Sequence, residues 1–158
     1  MVDWITSPGL VPYEEALAFM EARVAAIAEG RQGECIWLLE HPPLYTAGTS
    51  AQAQDLVDPD RFPVFPVGRG GQYTYHGPGQ LVVYPIFDLE ALGMGIKTFV
   101  QNIEHCIIQT LADYGITAGT IPDRIGVWID INQPNERKIA AIGIKCSRFV
   151  SMHGLALN

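Results

Sequence analysis

The sequence predicts an α+β domain, with helices packed on a mixed, largely antiparallel sheet. The 158 residues are 48% apolar, which is enough to build the core of one ordinary domain. Two segments show the three- and four-residue apolar spacing of helices, and short strand-like runs separated by glycine and proline make up much of the rest. The order helix, strands, helix, strands favours an α+β arrangement. Because there is no internal repeat or linker, residues 1–158 are expected to form a single domain.

The first helix is predicted over residues 12–29. Apolar residues recur at spacings of three and four from Leu17 to Ile27, Pro12 suits the first turn, and Gly30 suits the position after the last turn. The second helix is predicted over residues 97–114, ending before Gly115. Its apolar face is expected to contain Phe99, Ile103, Cys106, Ile107, Thr110, Leu111 and Tyr114.

Strands are predicted over residues 35–39, 64–67, 72–75, 81–87, 126–131, 138–144 and from Phe149 onward. The stretch 41–63 contains several prolines and no clear period, so most of it is predicted to be loop. The run Asn132-Gln133-Pro134-Asn135 predicts a hairpin turn between two of these strands.

The charge distribution argues against a nucleic-acid-binding protein. The formal net charge is −7, and residues 1–60 contain ten acidic and two basic residues. Residues 124–158 reverse the balance, with five basic and two acidic residues, which is typical either of a solvated strand surface or of a site for an acidic partner. No apolar run reaches the length of a membrane span, and the first residues do not resemble a signal peptide. The odd count of three cysteines, without a C-x-x-C pair, indicates reduced thiols in a cytoplasmic protein.

The densest group of candidate functional residues is the segment 69–80. Its glycines allow the backbone to approach a ligand closely, Arg69 can add a charge-assisted donor, and His76 titrates near neutral pH. The spacing matches neither the Walker motif nor the dinucleotide fingerprint. Two tight turns around a short strand, with His76 in a structural role, would explain the same residues.

Two further groups lie in the predicted C-terminal strands. Lys138 begins a run of small and apolar residues, where a lysine can have a lowered pKa or lower the pKa of a nearby thiol; a surface lysine is the simpler interpretation. His153 lies in the last strand and is either catalytic or structural. The histidines and cysteines show no ligand-like spacing, so neither a metal nor another cofactor is expected.

Three long motifs, taken together, resemble the octanoyltransferase family. They are R-G-G-x-x-T-Y-H-G-P-G-Q-L-V-x-Y-P-I at 69–86, R-K-I-A-A-I-G-I at 137–144 and H-G-x-A-L-N at 153–158. The earlier E-H-P-P-L-Y-T-A-G at 40–48 also fits the pattern of that family. The resemblance extends from the first helix to the last residue, with the motifs in the order in which the family has them.

The resemblance implies the catalytic-domain fold shared with biotin ligases and lipoate–protein ligases. It implies transfer of an octanoyl (or lipoyl) group to a specific lysine of lipoyl domains, a step of lipoate biosynthesis. The implied donor is octanoyl-acyl carrier protein, and the implied acceptors are the lipoyl domains of 2-oxoacid dehydrogenases and the glycine cleavage H protein. In that family a cysteine thiolate attacks the thioester, and the acceptor lysine then aminolyses the acyl-enzyme.

Matched residue by residue, the resemblance implies that Lys138 lowers the pKa of the nucleophilic cysteine. It also implies that three segments contact substrate: Arg69, Gly70, Gly71, Gln72, Tyr73, Thr74, Tyr75 and His76; Ala141, Ile142 and Gly143; Gly154, Leu155 and Ala156.

The nucleophile of the family lies in a P-C-G segment downstream of H-G-x-A-L-N. The thiol is therefore expected beyond Asn158, in a C-terminal part that this sequence lacks. Among the three cysteines present, only Cys146, which follows the Lys138 strand, is a conceivable substitute. Two alternatives stay open. A ligase of the same fold would require ATP, although the glycine-arginine patterns of ligases are absent. A non-catalytic module that binds acyl groups or lipoyl domains would need no nucleophile.

Overall fold

The computed structural model describes all 158 residues, Met1–Asn158, as two helices and two sheets. The helices are α1 (Tyr13–Ala28) and α2 (Ile96–Asp113), and a single 3-10 turn covers Ala53–Asp55. The strands are β1 (Asp3–Leu10), β2 (Cys35–Glu40), β3 (Leu44–Ala47), β4 (Val64–Pro66), β5 (Tyr73–His76), β6 (Leu81–Ile86), β7 (Ala118–Ile121), β8 (Arg124–Ile129), β9 (Arg137–Ser147) and β10 (Val150–Leu157).

The larger sheet has seven strands in the order β1-β2-β6-β10-β9-β8-β7. Every pair in it is antiparallel except β1 with β2. The smaller sheet has the order β4-β3-β5, with β3 parallel to β4 and antiparallel to β5. The prediction of a mixed, largely antiparallel sheet with packed helices is therefore confirmed.

The two helices cover opposite faces of the larger sheet. The core under α1 includes Met20 together with Met152 and Ala156 of β10. The core under α2 includes Ile107, and Leu155 and Leu157 of β10 pack against it. Because adjacent residues of a strand point to opposite faces, β10 contributes to both cores. Neither helix combines the length and apolar character needed to cross a bilayer.

The second helix follows the prediction in extent but not in its buried face. Its buried residues recur every four positions, and they are Phe99, Ile103, Ile107 and Leu111. Cys106 is exposed, as are Thr110 and Tyr114, so their assignment to the apolar face is wrong. Adjacent residues are about 100° apart around a helix, which turns Cys106 away from the sheet that Ile107 contacts.

Three strands are absent from the sequence-based assignment. The edge strands β1 and β7 lack a regular apolar alternation, and β3 lies inside the proline-containing stretch assigned to loop. The hairpin turn at 132–135 is confirmed, since it joins the antiparallel strands β8 and β9. Asn132 in this turn has a φ of 63°, a conformation that asparagine tolerates better than most residues.

Candidate active site

A small cavity lies where the loop before β5 meets β9 and β10. Its volume is about 30 Å³. Two adjacent stretches of strand, 141–143 and 154–156, form one wall, and Arg69 enters from the loop. The lining residues are Tyr13, Thr46, Arg69, Thr74, His76, Val82, Tyr84, Ala141, Ile142, Gly143, His153, Gly154, Leu155 and Ala156.

A pair of glycines allows other groups to approach this wall. Gly143 and Gly154 lie directly opposite each other across β9 and β10. A Cβ atom on Gly143 would lie 2.7 Å from Cδ of Arg69, and one on Gly154 would overlap the carbonyl oxygen of Val83. Only glycine leaves enough space for both approaches.

The guanidinium of Arg69 is buried without a carboxylate partner. It donates hydrogen bonds to the Thr46 hydroxyl at 2.6 Å, the Thr74 hydroxyl at 3.0 Å and the Gly70 carbonyl at 2.8 Å. Longer bonds reach the carbonyls of Thr46 and Gln72, both at 3.3 Å. Burial lowers the pKa of Arg69. Because all these acceptors are neutral, the cation is solvated by dipoles and leaves a positive potential in the cavity.

His76 continues this hydrogen-bond network. Its Nε2 lies 3.2 Å from the Thr46 hydroxyl, and its Nδ1 lies 2.7 Å from the Gln80 side-chain oxygen. Burial lowers the pKa of His76 to about 4, so the ring is neutral at pH 7. With Nδ1 donating to Gln80, Nε2 accepts from Thr46, whose hydroxyl oxygen accepts from Arg69. Gln80 donates in turn to the Asn158 side chain at 2.8 Å.

His153 lines the cavity and has an unusual backbone conformation. Its φ is +61° within β10, and its N–H points to the sulfur of Met20, 3.3 Å away, on α1. The side chain is buried, and burial together with the charges of Arg69 and Lys145 lowers its pKa to about 4. Left-handed backbone at a non-glycine residue is uncommon and is concentrated at functional sites.

Two tyrosines of the cavity differ in their hydrogen bonding. The Tyr84 hydroxyl lies 2.7 Å from Nε2 of His41, whose Nδ1 lies 2.6 Å from the Val11 carbonyl. The Tyr13 hydroxyl is buried and has no hydrogen-bond partner. Burial raises the pKa of Tyr13 to about 12, so this hydroxyl is protonated and is a free donor beside the cavity.

Lys138 lies near this wall without lining the cavity. Val127 pairs with Ala140 and Trp128 with Lys138, which leaves Ile139 as an extra residue in β9. This bulge turns Lys138 away from the face on which Ala140 packs against α2, and towards the face that carries the cavity. The ammonium donates to the Ile125 carbonyl at 2.9 Å and lies 4.8 Å from the centre of the Trp128 ring. Partial burial, followed by the charge of Arg124, lowers the pKa of Lys138.

The structure brings together nine of the fifteen residues that the family resemblance assigns to the site, and His153 lines the cavity with them. The nine are Arg69, Thr74, His76, Ala141, Ile142, Gly143, Gly154, Leu155 and Ala156. Gly70 and Gln72 contribute carbonyls to Arg69, and Gly71 forms the turn with a φ of 90°. Tyr73 lies in the small sheet opposite Ala47. Tyr75 is 44% exposed and packs on Phe62, away from the cavity.

Four lining residues were not identified from the sequence, namely Tyr13, Thr46, Val82 and Tyr84. Thr46, Val82 and Tyr84 lie inside the quoted motifs, and a tyrosine in the otherwise apolar strand β6 is a signal, because its buried hydroxyl needs a partner. Tyr13 begins α1 and lies outside these motifs, so nothing in its local sequence marks it.

The cavity wall contains neither a cluster of metal-ligating side chains nor a cysteine. No group of three or more His, Cys, Asp or Glu side chains is arranged to hold a metal ion. Cys35 is buried in the α1 core, and burial raises the pKa of its thiol. Cys146 is exposed, and partial burial together with the Asp88 charge raises its pKa. Both thiols therefore have less thiolate at neutral pH than an ordinary cysteine.

The fold and the motif-bearing wall define a class of protein. Residues 12–158 match the family described as lipoyl protein ligase A/B catalytic domain. A bipartite lipoate protein ligase from Thermoplasma acidophilum superposes with a TM-score of 0.65 at 17% identity, over 99% of this chain and 60% of that one. Lipoate-protein ligase A bound with ATP gives 0.65 at 14% identity, over 98% and 66%. At such identities the likeness is one of fold alone.

Relatives with higher sequence identity identify the family within this class. The octanoyltransferase of Maricaulis maris is 58% identical over 157 residues, which cover 99% of this chain and 70% of that protein. The octanoyltransferase of Dinoroseobacter shibae is 57% identical over 165 residues, covering 99% and 75%. The chain belongs to the octanoyltransferase family, a family of acyltransferases. The resemblance inferred from the motifs is thereby confirmed.

Proposed function

We propose that this chain transfers an octanoyl group from octanoyl-acyl carrier protein to a lysine of lipoyl domains, by way of a cysteine acyl-enzyme. The acceptors in this proposal are the lipoyl domains of 2-oxoacid dehydrogenases and the glycine cleavage H protein. One observation supports it above the others: parts of all three family motifs meet at one cavity, around a buried arginine that has no counter-ion. We further propose that residues 1–158 act as one domain in the cytoplasm, where the three thiols remain reduced.

The proposed chemistry consists of two acyl transfers. A thiolate attacks the thioester carbon, a new carbon–sulfur bond forms, and the carrier thiolate leaves and takes up a proton. The amine of the acceptor lysine then attacks the acyl-enzyme, an amide bond forms, and the enzyme thiol is released. Each step passes through an oxyanion, which needs hydrogen-bond donors already in position.

The cavity offers both a donor and an apolar wall for this reaction. Tyr13 provides an unpaired hydroxyl, while Val82, Ala141 and Ala156 provide apolar surface for an alkyl chain. At about 30 Å³ the cavity has room for about two water molecules. The cavity is therefore too small to enclose an eight-carbon chain completely.

Lys138 provides the cation that the attacking thiolate requires. Its ammonium interacts with a carbonyl and an aromatic ring rather than with a carboxylate, so its charge is available to a nearby anion. None of the three cysteines lines the cavity. In this proposal the nucleophile therefore comes from outside residues 1–158, and Cys146 is the alternative to be tested.

Octanoyl transfer should be measured with octanoyl-acyl carrier protein and an isolated lipoyl domain, without ATP. We expect Lys138→Ala to suppress the acyl-enzyme in a form that contains the nucleophile, because the thiol then loses the cation that favours its ionised state. The matched control is Lys97→Ala, which removes an exposed lysine at the start of α2 and should leave transfer unchanged. Circular dichroism verifies that both variants are folded.

Mass spectrometry of the intact chain separates the remaining alternatives. A hydroxylamine-sensitive octanoyl adduct on residues 1–158 would assign the nucleophile to one of the three cysteines, and Cys146→Ser would identify it. Transfer that depends on ATP would replace the proposal by a ligase reaction. Binding of lipoyl domain or acyl carrier protein without transfer, in a form that contains the P-C-G segment, would identify a binding module.

A further inference from the structure

Arg124 contacts the same aromatic ring as Lys138, and it belongs to none of the three family motifs. Its guanidinium carbon is 3.8 Å from the centre of the Trp128 ring, the same ring that the Lys138 ammonium approaches to 4.8 Å. The indole N–H of Trp128 donates to the Arg124 carbonyl at 3.1 Å, which fixes the ring to this part of β8. Two cations thus share one aromatic ring.

Arg124 also binds the carboxylate nearest to Lys138 in the sequence. Its Nη1 is 2.6 Å from Oε1 of Glu136, and the backbone N–H of Asn132 donates to the other oxygen at 3.2 Å. The hydrogen bond from Arg124 holds the pKa of Glu136 below its usual range. Both oxygens of this carboxylate are therefore engaged, although Glu136 precedes Lys138 by only two residues.

Two further charged groups close to Lys138 in the fold or in the sequence are engaged as well. Glu104 of α2 accepts a hydrogen bond from the N–H of Gly126 at 3.0 Å. Arg137 pairs with Asp130 at 2.9 Å. Lys138 itself forms no ion pair. The half-buried ammonium is consequently left with a carbonyl and an aromatic ring as its partners.

We propose that Arg124 is a positioning residue for Lys138: by holding the carboxylate of Glu136, it keeps the Lys138 ammonium on the Trp128 ring without a counter-ion and available to a thiolate. This inference rests on the proposed role of Lys138 in octanoyl transfer. Without Arg124, the released Glu136 carboxylate pairs with Lys138 and neutralises the charge that the thiol requires.

Two effects of Arg124 act in the same direction on the ionisation of Lys138. The positive charge of Arg124 disfavours the ammonium form of Lys138. Its ion pair with Glu136 also prevents that carboxylate from approaching Lys138 and stabilising the ammonium form. Replacing Arg124 by a neutral residue removes both effects, so the pKa of Lys138 must rise. Replacing Glu136 at the same time removes the released carboxylate and cancels part of the rise.

The experiment follows the titration of Lys138 directly. The chain contains only three lysines, so reductive methylation with a ¹³C reagent gives few resonances, and Lys138→Arg assigns the one required. The Lys138 pKa is measured in the unsubstituted chain, Arg124→Gln, Arg124→Gln/Glu136→Gln and Arg137→Gln. Arg137→Gln is the matched control, because it also removes an exposed, ion-paired arginine and lies next to Lys138.

We expect the pKa to be highest in Arg124→Gln, intermediate in the double variant, and equal in Arg137→Gln and the unsubstituted chain. An unchanged pKa in Arg124→Gln, or an equal rise in Arg137→Gln, would overturn the inference. In Arg124→Lys, which keeps the charge, the pKa of Lys138 should be close to its value in the unsubstituted chain. This variant also provides a measurement if Arg124→Gln does not fold.

Transfer assays distinguish a failure of this inference from a failure of the proposed function. If Lys138→Ala retains full transfer, the proposed role of Lys138 is wrong, whatever its pKa. If Lys138→Ala abolishes transfer but Arg124→Gln changes neither kcat nor the Lys138 pKa, only the positioning role of Arg124 is wrong.

Discussion

Tyr13 and Tyr84 are both buried beside the cavity, yet the contributions of their hydroxyl groups to stability are opposite in sign. The hydroxyl of Tyr13 has no partner, whereas that of Tyr84 is hydrogen-bonded to His41 at 2.7 Å. An unpaired buried donor has lost its hydrogen bonds to water without replacement. A family of enzymes can retain such a residue when the missing partner belongs to the substrate.

Tyr13→Phe is expected to raise the free energy of unfolding by about 1 kcal/mol, because it removes the unpaired donor and keeps the ring. The same variant should transfer octanoyl groups more slowly if the hydroxyl contacts the acyl carbonyl. Urea unfolding at neutral pH measures the first effect, and the transfer assay measures the second.

Tyr84→Phe is the matched comparison and should lower the free energy of unfolding by about 1–3 kcal/mol, since it leaves Nε2 of His41 buried without a donor. Equal effects of the two substitutions would show that the Tyr13 hydroxyl is satisfied by an ordered water.

At the residue scale, the motifs predicted more of the cavity-lining residues than local chemistry did. Arg69 and Lys138 were identified because charged residues inside glycine-rich or apolar runs are conspicuous. Tyr13 has no such signal, since its significance depends on a hydroxyl buried by strands far away in the sequence. Tyr75 illustrates the opposite case: it belongs to the motif, but strand alternation turns its side chain away from the cavity.

Among the elements, the contact between β9 and β10 is the one that shapes the cavity. The Gly143–Gly154 pair removes two side chains from the same position of the sheet, and the side chain of Arg69 occupies part of the space. Arg69 cannot shift freely, because its guanidinium is bonded to Thr46 and Thr74.

Gly143→Ala is therefore expected to displace Arg69 and to lower the free energy of unfolding by about 1–3 kcal/mol, as overpacking does in other well-packed sites. The control is Gly9→Ala in β1, where an added methyl group meets no other atom within 4 Å. Thermal unfolding compares the two, and a similar small effect of both substitutions would contradict this description of the wall.

Two of the three strands that the sequence did not predict share a physical cause. Strands β1 and β7 lie at the two edges of the larger sheet, where only one neighbour constrains each strand. Trp4 of β1 is 71% exposed, so the alternation that marks a half-buried strand is missing. In α2 the sequence predicts too wide a buried face. Seven apolar or neutral residues, Cys106 among them, are assigned to it, but only four are buried.

The whole molecule contains a set of buried histidines that makes its stability depend on pH. Burial lowers the pKa of His76 and His153 to about 4, and it also lowers the pKa of His41. In the unfolded chain these groups titrate near 6.5, so between the two values the unfolded state binds more protons than the native state. Stability is therefore complete above about pH 6.5 and is lost as the pH falls towards about 4.

The expected loss across this window is about 3 kcal/mol for each of His76 and His153. Urea unfolding as a function of pH measures it, and His76→Asn should give a shallower dependence because one titrating ring is gone. A profile identical to that of the unsubstituted chain would show that folding does not lower the pKa of His76.

The membership of β10 in both cores has a consequence for how the chain is made. A ribosome adds residues 150–157 after both helices and the other nine strands have been synthesised. Until then β6 and β9, which flank β10 in the finished sheet, each present an unpaired edge, and the apolar faces under both helices stay incomplete. Before β10 is synthesised, the larger sheet therefore consists of two separate parts. Their unpaired edges and exposed apolar faces are the kind of surface that chaperones bind in nascent chains.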